Sequence, residues 1–539
     1  MIYVWISLHL LLVLGCSKTD MISEDLPLTG HDELEWIHFD SHHFRYSDGR
    51  QFIVRGLDYK YNTVGYTDTE FDLVQDDFKR MATWGVNVLR VRLSDTRSGW
   101  YPHQSAEPGY LDGLDNLVRM ANLHGIYVII ATNGAEQMLA LYERPNDLLY
   151  EQAKFLPGTE AHEHWLNYMS MIFDRYKDVP GVLGFDAINE DFSFPPEVHD
   201  KLFMKEAHEL LLARLRAVDS RHIYFQQPAG WDYSPDLSVS MGHPLPDQNR
   251  VFGTKWFAMQ NQELRMQEML DWAEEANTPL FICETWVWDL INRRPRMIRN
   301  IQRETLNLLD KHTVGWISLG YLPLVGLIRE DRKMIHLMDE WIRPYPQVVG
   351  GTLQSLNYEF DKRQFNLSMQ LDESGDTEIF IPAGHTYPEG FQVEANKLTM
   401  MVDQNGQVVS QTGAGILSWN KDAQKLIISP VNRQVDLIIE AMDPGPVPQS
   451  HTRLDYSDDD FPPQDEVVRP VFTLAEGENS LRERILSSGD WTEDQVNCVI
   501  ENWKSRLEPI EWEIVARAGL MQVDMRIRYT IAIFDCLEQ

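Results

Sequence analysis

The sequence predicts an α/β protein: a (β/α)8 TIM barrel followed by a small antiparallel β-sandwich and a short α+β C-terminal module. Three observations carry this. Between about residues 50 and 345 eight short apolar runs alternate with amphipathic stretches. After Pro344-Tyr345-Pro346 the apolar period changes to two. With 539 residues and 43% hydrophobic content, the chain is too long for one core and too apolar for a disordered one.

At the N-terminus, residues 1–15 (MIYVWISLHLLLVLG) are apolar and uncharged, and the chain turns polar at Cys16-Ser17-Lys18-Thr19-Asp20. The run is shorter than the about 20 residues a bilayer-spanning helix needs. Val13-Leu14-Gly15-Cys16 resembles a lipobox, whose cysteine is lipidated once a signal peptide is removed. The expectation is an exported protein whose membrane contact is a lipid anchor on Cys16, at the periplasmic or surface face of a bacterial envelope; because the run lacks the Lys or Arg that usually precedes it, an ordinary membrane anchor or a misassigned start is the alternative.

The barrel is expected over 34–346. Its strands are read at Phe52–Leu57, Val86–Val91, Ile126–Ala131, Val182–Ile188, His222–Gln226, Val251–Thr254, Leu280–Cys283 and Gly315–Leu319. Between them, EFDLVQDDFKRMATW, LDNLVRMANLH, HEHWLNYMSMIFDRYKD and KEAHELLLARLRAV repeat apolar residues at three- and four-residue spacing, the mark of helices with one buried face. Eight strand–helix units in roughly 300 residues fit a (β/α)8 barrel, whose reactive groups gather at the C-terminal ends of the strands.

Period-two runs at Gln364–Gln370, Thr377–Ile381, Lys397–Val402 and Val435–Ile439 predict the β-sandwich, over 347–445. Residues 446–468, rich in Pro and Asp, read as an extended acidic linker. In the module at 469–539, Thr492-Glu493-Asp494-Gln495 is a capping-box pattern ahead of a helix, and Ile510–Val515 and Gln522–Ile533 read as strands.

Lys and Arg number 48 against 82 Asp and Glu, a net charge of −34 that repels nucleic acid and anionic lipid. No CxxC, HExxH or His-rich tract calls for a metal, and no cofactor is expected. Cys498 and Cys536 either pair or are two buried thiols.

Splitting an acetal with retention needs two carboxyl groups about 5–5.5 Å apart, one protonated to assist the leaving oxygen and one ionised to attack the anomeric carbon. Gly184-Phe185-Asp186-Ala187-Ile188-Asn189-Glu190 places Glu190 just past the fourth strand, and Pro279-Leu280-Phe281-Ile282-Cys283-Glu284 places Glu284 just past the seventh. Both then face one cup.

Ile188-Asn189-Glu190 and Phe281-Ile282-Cys283-Glu284 resemble the acid/base and nucleophile motifs of glycoside hydrolase family 5. Arg55-Gly56, Trp84-Gly85-Val86-Asn87-Val88-Leu89-Arg90 and Gly125-Ile126-Tyr127-Val128-Ile129 match its first three strands. Beyond the barrel, Pro344–Thr352, Glu378–Pro382 and Tyr387–Phe391 are similar to the barrel-to-sandwich join of its endoglycoceramidase-like branch. The resemblance covers about residues 35 to 445. It implies a retaining hydrolase of a β-linked glycoside, with a carbohydrate or glycolipid substrate, Glu190 as acid/base, Glu284 as nucleophile, Arg90 supporting the nucleophile and Asn189 binding the sugar 2-hydroxyl.

Four residues at three sites depart from the family. Asn133 in Ala131-Thr132-Asn133-Gly134 stands for a histidine, Lys255-Trp256-Phe257 for His-x-Tyr, and Leu319 for a tryptophan. Lys255 brings a positive charge to a floor that usually meets neutral sugar. It pairs either with Glu284, with an anionic sugar, or elsewhere. Trp100, Tyr101, Tyr110, Trp231, Trp256, Trp286 and Trp288 are candidate stacking platforms for sugar C–H faces. The segment from Asn133 to about His162 is long enough for a lid. The departures also leave open an alternative in which the barrel is a non-catalytic cell-surface carbohydrate-binding protein.

Overall fold

A computed structural model of the chain describes residues 34–443, apart from 41, 62–72, 94–96, 101–104, 133–153, 155–157, 190–203, 228–243, 258–261, 279, 287–294, 319, 322–337 and 414, together with residues 482 and 492–506. Eight parallel strands close a barrel in chain order: Arg55–Tyr61, Val88–Leu93, Tyr127–Ala131, Val182–Asp186, Ile223–Gln226, Arg250–Phe257, Leu280–Trp286 and Gly315–Ser318. The eighth pairs back onto the first through Trp316 and Arg55. Each strand overlaps one of the eight apolar runs. The runs are nearly continuous because both faces are covered: Tyr127–Ala131 is buried at every position.

The outer layer contains helices Gln75–Thr83, Tyr110–Leu123, Glu160–Tyr176, Met204–Val218, Gln262–Glu275 and Pro295–Lys311. Their apolar stripes meet outward-facing strand residues such as Leu89 and Val91 in one core. The third of them starts where Thr159 accepts the His162 backbone N–H at 3.1 Å, satisfying a donor that the first turn leaves unpaired. Helix Glu493–Arg506 follows the capping-box pattern, and Val496 and Ile500 join this same core. Cys498 within it is disulfide-bonded, and the residue it joins lies outside the described residues, as do the two strands read at Ile510–Val515 and Gln522–Ile533.

Inside the barrel, Val54, Val88, Ile129, Phe225, Phe281 and Ile317 form an apolar floor. It is capped from the N-terminal end by short strands Ile37–Phe39 and Phe44–Tyr46, with the Phe44 ring 5.5 Å from that of Phe281. Sequence periodicity did not reveal these strands, because elements two or three residues long contain no repeat. What was read as one strand, Phe52–Leu57, divides: Gln51–Phe52 belongs to an antiparallel sheet and Arg55 begins the barrel.

That sheet runs Ile37–Phe39, Phe44–Tyr46, Gln51–Phe52, Tyr345–Val349, Thr377–Phe380, Lys425–Ile428, Leu417–Asn420. Against it lies a six-stranded sheet ordered Gly351–Glu359, Gln364–Leu371, Arg433–Ala441, Gly390–Ala395, Leu398–Asp403, Val408–Gln411. Phe365, Ile379, Phe391, Val402 and Ile439 fill the space between. The sandwich therefore takes strands from both sides of the barrel in the chain.

The junction is close-packed. Gly85 has φ +84° after the helix Gln75–Thr83, and a Cβ there would lie 2.5 Å from the Phe380 ring, so glycine meets both the backbone and the space requirement. Tyr345 donates its hydroxyl to the Gly85 carbonyl at 2.5 Å. The barrel's C-terminal mouth lies at the opposite end from this cap.

Candidate active site

Above the apolar floor the barrel interior changes to a layer of charge. The period of two puts Arg90 and Arg92 of the second strand on one face, pointing inward. Lys255 enters from the sixth strand and Asp58 from the first, and Asp186 ends the fourth. Glu284 would alternate away from the axis beside Cys283, but the seventh strand shifts register against the sixth between Ile282 and Glu284, so Glu284 sits opposite Lys255. Bulges of this kind re-aim a side chain at a barrel rim.

Among the described residues, three cations and three carboxylates come together here. Arg90 donates to Asp186 at 2.6 and 2.9 Å and to Asp58 at 2.8 Å. Arg92 lies 2.7 Å from Asp58 and contacts Glu284 directly. Lys255 donates to Glu284 at 3.0 Å. All three cations address the same Glu284 oxygen, Oε2, with Arg90 more distant at 3.9 Å. Oε1 takes none of these contacts. Gln227 adds a side-chain N–H to Asp186.

Burial alone would raise the Glu284 carboxyl, but Arg92, Lys255 and Arg90 outweigh it and hold it down to about 2. Burial pushes the Lys255 ammonium down to about 8, with the two arginines adding to the push and Glu284 opposing it. Burial works against the charge of Arg90 too, yet Asp186 and Asp58 raise its pKa. A carboxylate kept ionised at the mouth of a barrel, with one oxygen gripped and the other taking no ion pair among the described residues, is equipped to attack an electrophilic carbon.

Asn189 is 3% exposed, and its carboxamide has no hydrogen-bond partner among the described residues. Its backbone N–H is fixed by the Thr132 hydroxyl at 3.2 Å. A buried carboxamide without a partner suits a ligand hydroxyl.

Not every sequence candidate reaches this layer. Trp256 points outward, is 3% exposed and packs in the strand–helix core, so it is not a stacking platform; it follows Lys255 on a strand, and consecutive residues face opposite ways. Trp100 and Tyr110 are likewise core residues, Trp100 packed edge-on to Tyr168 at 5.1 Å. Of the alternatives for Lys255, the structure gives the pairing with Glu284. Glu190, Asn133 and Leu319 lie outside the described residues, as do Tyr101, Trp231, Trp288, Cys16 and most of the segment from Asn133 to His162; Phe257 and Trp286 are described in backbone only. Sequence reading missed Arg92, Asp58 and Asp186. Arg92 was detectable, since a second arginine two positions along an inward-facing strand shares its face.

Comparison with known proteins gives a consistent picture. Residues 48–318 match the family described as Cellulase (glycosyl hydrolase family 5), and residues 343–426 match the glycoside hydrolase family 5 C-terminal domain. An endoglycoceramidase of Hydra vulgaris is 22% identical over 425 residues, covering 65% of this chain and 80% of the relative. One of Cyanea nozakii is 21% identical over 439 residues, covering 65% and 83%. Among solved structures, endo-glycoceramidase II from Rhodococcus sp. superposes with a TM-score of 0.59 at 15% identity, covering 75% of this chain and 100% of that one. Sterylglucosidase 1 of Cryptococcus neoformans superposes at 0.55 with 11% identity, covering 77% and 98%. The two structures establish the shared fold. None of these matches favours the binding-only alternative.

Proposed function

The chain belongs to glycoside hydrolase family 5 and is a retaining glycosidase, and from that premise we propose that it releases an intact glycan from a β-linked glycolipid, with Glu284 as nucleophile and Glu190 as acid/base. The observation that carries the residue assignment is Glu284 itself: a buried carboxylate held ionised by Arg92 and Lys255, with Oε1 left for attack. The glycolipid reading draws on the endoglycoceramidases to which the chain is similar over most of their length.

In the proposed reaction Glu190 gives its proton to the glycosidic oxygen as the bond from that oxygen to the anomeric carbon breaks. Glu284 Oε1 bonds to the same carbon, forming a glycosyl ester. Water then attacks that carbon, Glu190 takes a proton from it, and Glu284 is released as carboxylate. Asn189, with its buried unpartnered carboxamide, is suited to hold a hydroxyl of the reacting sugar. Assay against paired substrates, each glycan free and lipid-linked, tests the specificity: release of whole glycan from the lipid-linked member is expected, and cleavage confined to free oligosaccharides would reject the glycolipid reading.

Glu190→Gln is expected to lower turnover of lipid glycosides by about two to four powers of ten, the usual range for a lost general acid–base. Aryl glycosides with good leaving groups should be cleaved to the ester stage much as before, and added azide should restore turnover by giving a glycosyl azide. No recovery with azide would remove Glu190 from the role.

The lipobox-like Val13-Leu14-Gly15-Cys16 supports a further reading, that the enzyme is exported and tethered by lipid on Cys16, which would hold it at a surface where lipid substrates lie. Expressed in full in a bacterial host, it should fractionate with membranes. Cys16→Ser should abolish lipid labelling; labelling that persisted would exclude this anchor.

A further inference from the structure

Asp186 is one of the two carboxylates that hold Arg90, and its own grip is one-sided. Arg90 Nε and Nη2 and the Gln227 side-chain amide all donate to Asp186 Oδ2, while Oδ1 has no partner among the described residues. Gln227 directly follows the fifth strand and is 4% exposed. Arg90 acts on the Asp186 carboxyl from the second strand, Gln227 and Tyr224 from the fifth, Lys255 from the sixth and Cys283 from the seventh. Of these, Arg90 and Gln227 bond to it. Gln227 is thus the uncharged donor on a carboxylate that burial works to protonate.

Gln227 is itself fixed from behind. Its backbone carbonyl lies 3.2 Å from His208 Nε2, and His208 Nδ1 lies 2.8 Å from the Tyr224 hydroxyl. A carbonyl only accepts, so Nε2 carries a proton. Burial pushes the Tyr224 phenol well above its usual range, so the phenol keeps its proton and Nδ1 of the neutral ring receives it. His208 and Tyr224 are both buried, His208 on the helix Met204–Val218 and Tyr224 on the fifth strand. Helix and strand together anchor the backbone from which the Gln227 amide reaches Asp186. On the far side of Asp186, Arg90 turns Nη1 to Asp58 at 2.8 Å and stands 3.9 Å from Glu284 Oε2.

We propose that Gln227 is a positioning residue for the hydrolysis: anchored by His208, its amide fixes the Asp186 carboxylate, which in turn sets Arg90 beside Glu284. This role presupposes that Glu284 is the nucleophile. Gln227 donates to Asp186 and not to Glu284, so it acts through its neighbours. A residue that only filled space here would leave the pH profile alone, whereas a donor to Asp186 controls the pH at which that carboxyl takes up a proton and lets go of Arg90.

The test compares wild type with Gln227→Leu and Gln227→Glu, measuring kcat and KM across pH with the best-cleaved lipid-linked glycan. Gln227→Leu keeps the bulk and removes the donor. Its kcat should fall about ten- to a hundredfold, the scale of small misplacements, with KM little changed. Without the donor the Asp186 carboxyl rises further, so the ratio of variant to wild-type kcat/KM should fall as pH is lowered. Gln227→Glu should give the opposite slope. Two carboxyls side by side do not both ionise readily, and the protonated one donates O–H where the amide donated N–H. Its ratio should therefore rise as pH is lowered. Should Gln227→Leu fail to fold, the slope of Gln227→Glu alone decides. A folded Gln227→Leu enzyme with wild-type kcat, or a Gln227→Glu ratio that stays flat or falls as pH is lowered, overturns the proposal and leaves the nucleophile assignment standing. Wild type that cleaves no β-glycoside offered would overturn that assignment, and the proposal with it.

Discussion

Replacing Glu284 with Gln is expected to lower turnover by about four to six powers of ten, the scale on which enzymes respond to loss of a covalent nucleophile. The substitution leaves an amide that Arg92 can still approach but that cannot form the ester. It also leaves Arg92 and Lys255 facing a neutral group, so a loss of activity through folding must be separated from a loss of chemistry. Glu284→Asp makes that separation. It keeps the charge and withdraws the carboxylate by one methylene, for which a loss of about a hundredfold is expected because misplacement near 1 Å has effects of that size. Turnover ranked wild type, Asp, Gln, with a fluoroglycosyl adduct on the Glu284 peptide of wild type alone, is the expected pattern. Near-wild-type turnover by a folded Glu284→Gln enzyme would refute the assignment.

The second large effect is on stability. Arg90 is fully buried and is the direct partner of both Asp58 and Asp186. Removing one member of a buried ion pair leaves an uncompensated charge, and Arg90→Met should cost about 3–5 kcal/mol by urea denaturation near neutral pH. The pH dependence has a defined sign. Burial already raises the Asp186 carboxyl above its ordinary 3.8, and loss of Arg90 removes the strongest opposing pull. A carboxyl whose folded pKa lies above its unfolded value stabilises the fold fully below the unfolded pKa, and that stabilisation is lost as pH rises through the folded pKa. The deficit of Arg90→Met should therefore be greatest at alkaline pH and shrink as pH falls toward 4. A deficit under about 1 kcal/mol at neutral pH would show that Arg90 does not neutralise the pair.

These expectations draw unequally on sequence and coordinates. The eight barrel strands were legible because each contains an apolar run bounded by helix, and Glu284 was legible as a candidate because it follows one of those runs directly, within the strand Leu280–Trp286. Its place at a strand end predicts that it faces the cup, but the register shift between Ile282 and Glu284 that turns it there is announced by no local pattern. Lys255 was legible as a departure but ambiguous in partner: the choice between nucleophile and substrate is made by packing across strands, a contact 29 residues distant in sequence. Trp256 misled because composition ranks aromatics by what they can do, whereas strand alternation decides where they point. The N-terminal strands escaped notice for a different reason: at two or three residues each they contain no repeat, and Gln51–Phe52 pairs with Tyr345–Val349, nearly 300 residues away.

That distance bears on how the chain is made. Gln51 bonds to Leu353 across 302 residues, and the sheet containing Phe39, Phe44 and Phe52 has no central strand until Tyr345–Val349 has been synthesised. At translation speeds of about 5–20 residues per second the first three strands wait roughly 15–60 s for it. Throughout that interval the Gln51–Phe52 strand keeps unpaired the edge that Tyr345–Val349 will take, so the barrel's end cap is among the last parts to be secured although it is among the first to be translated.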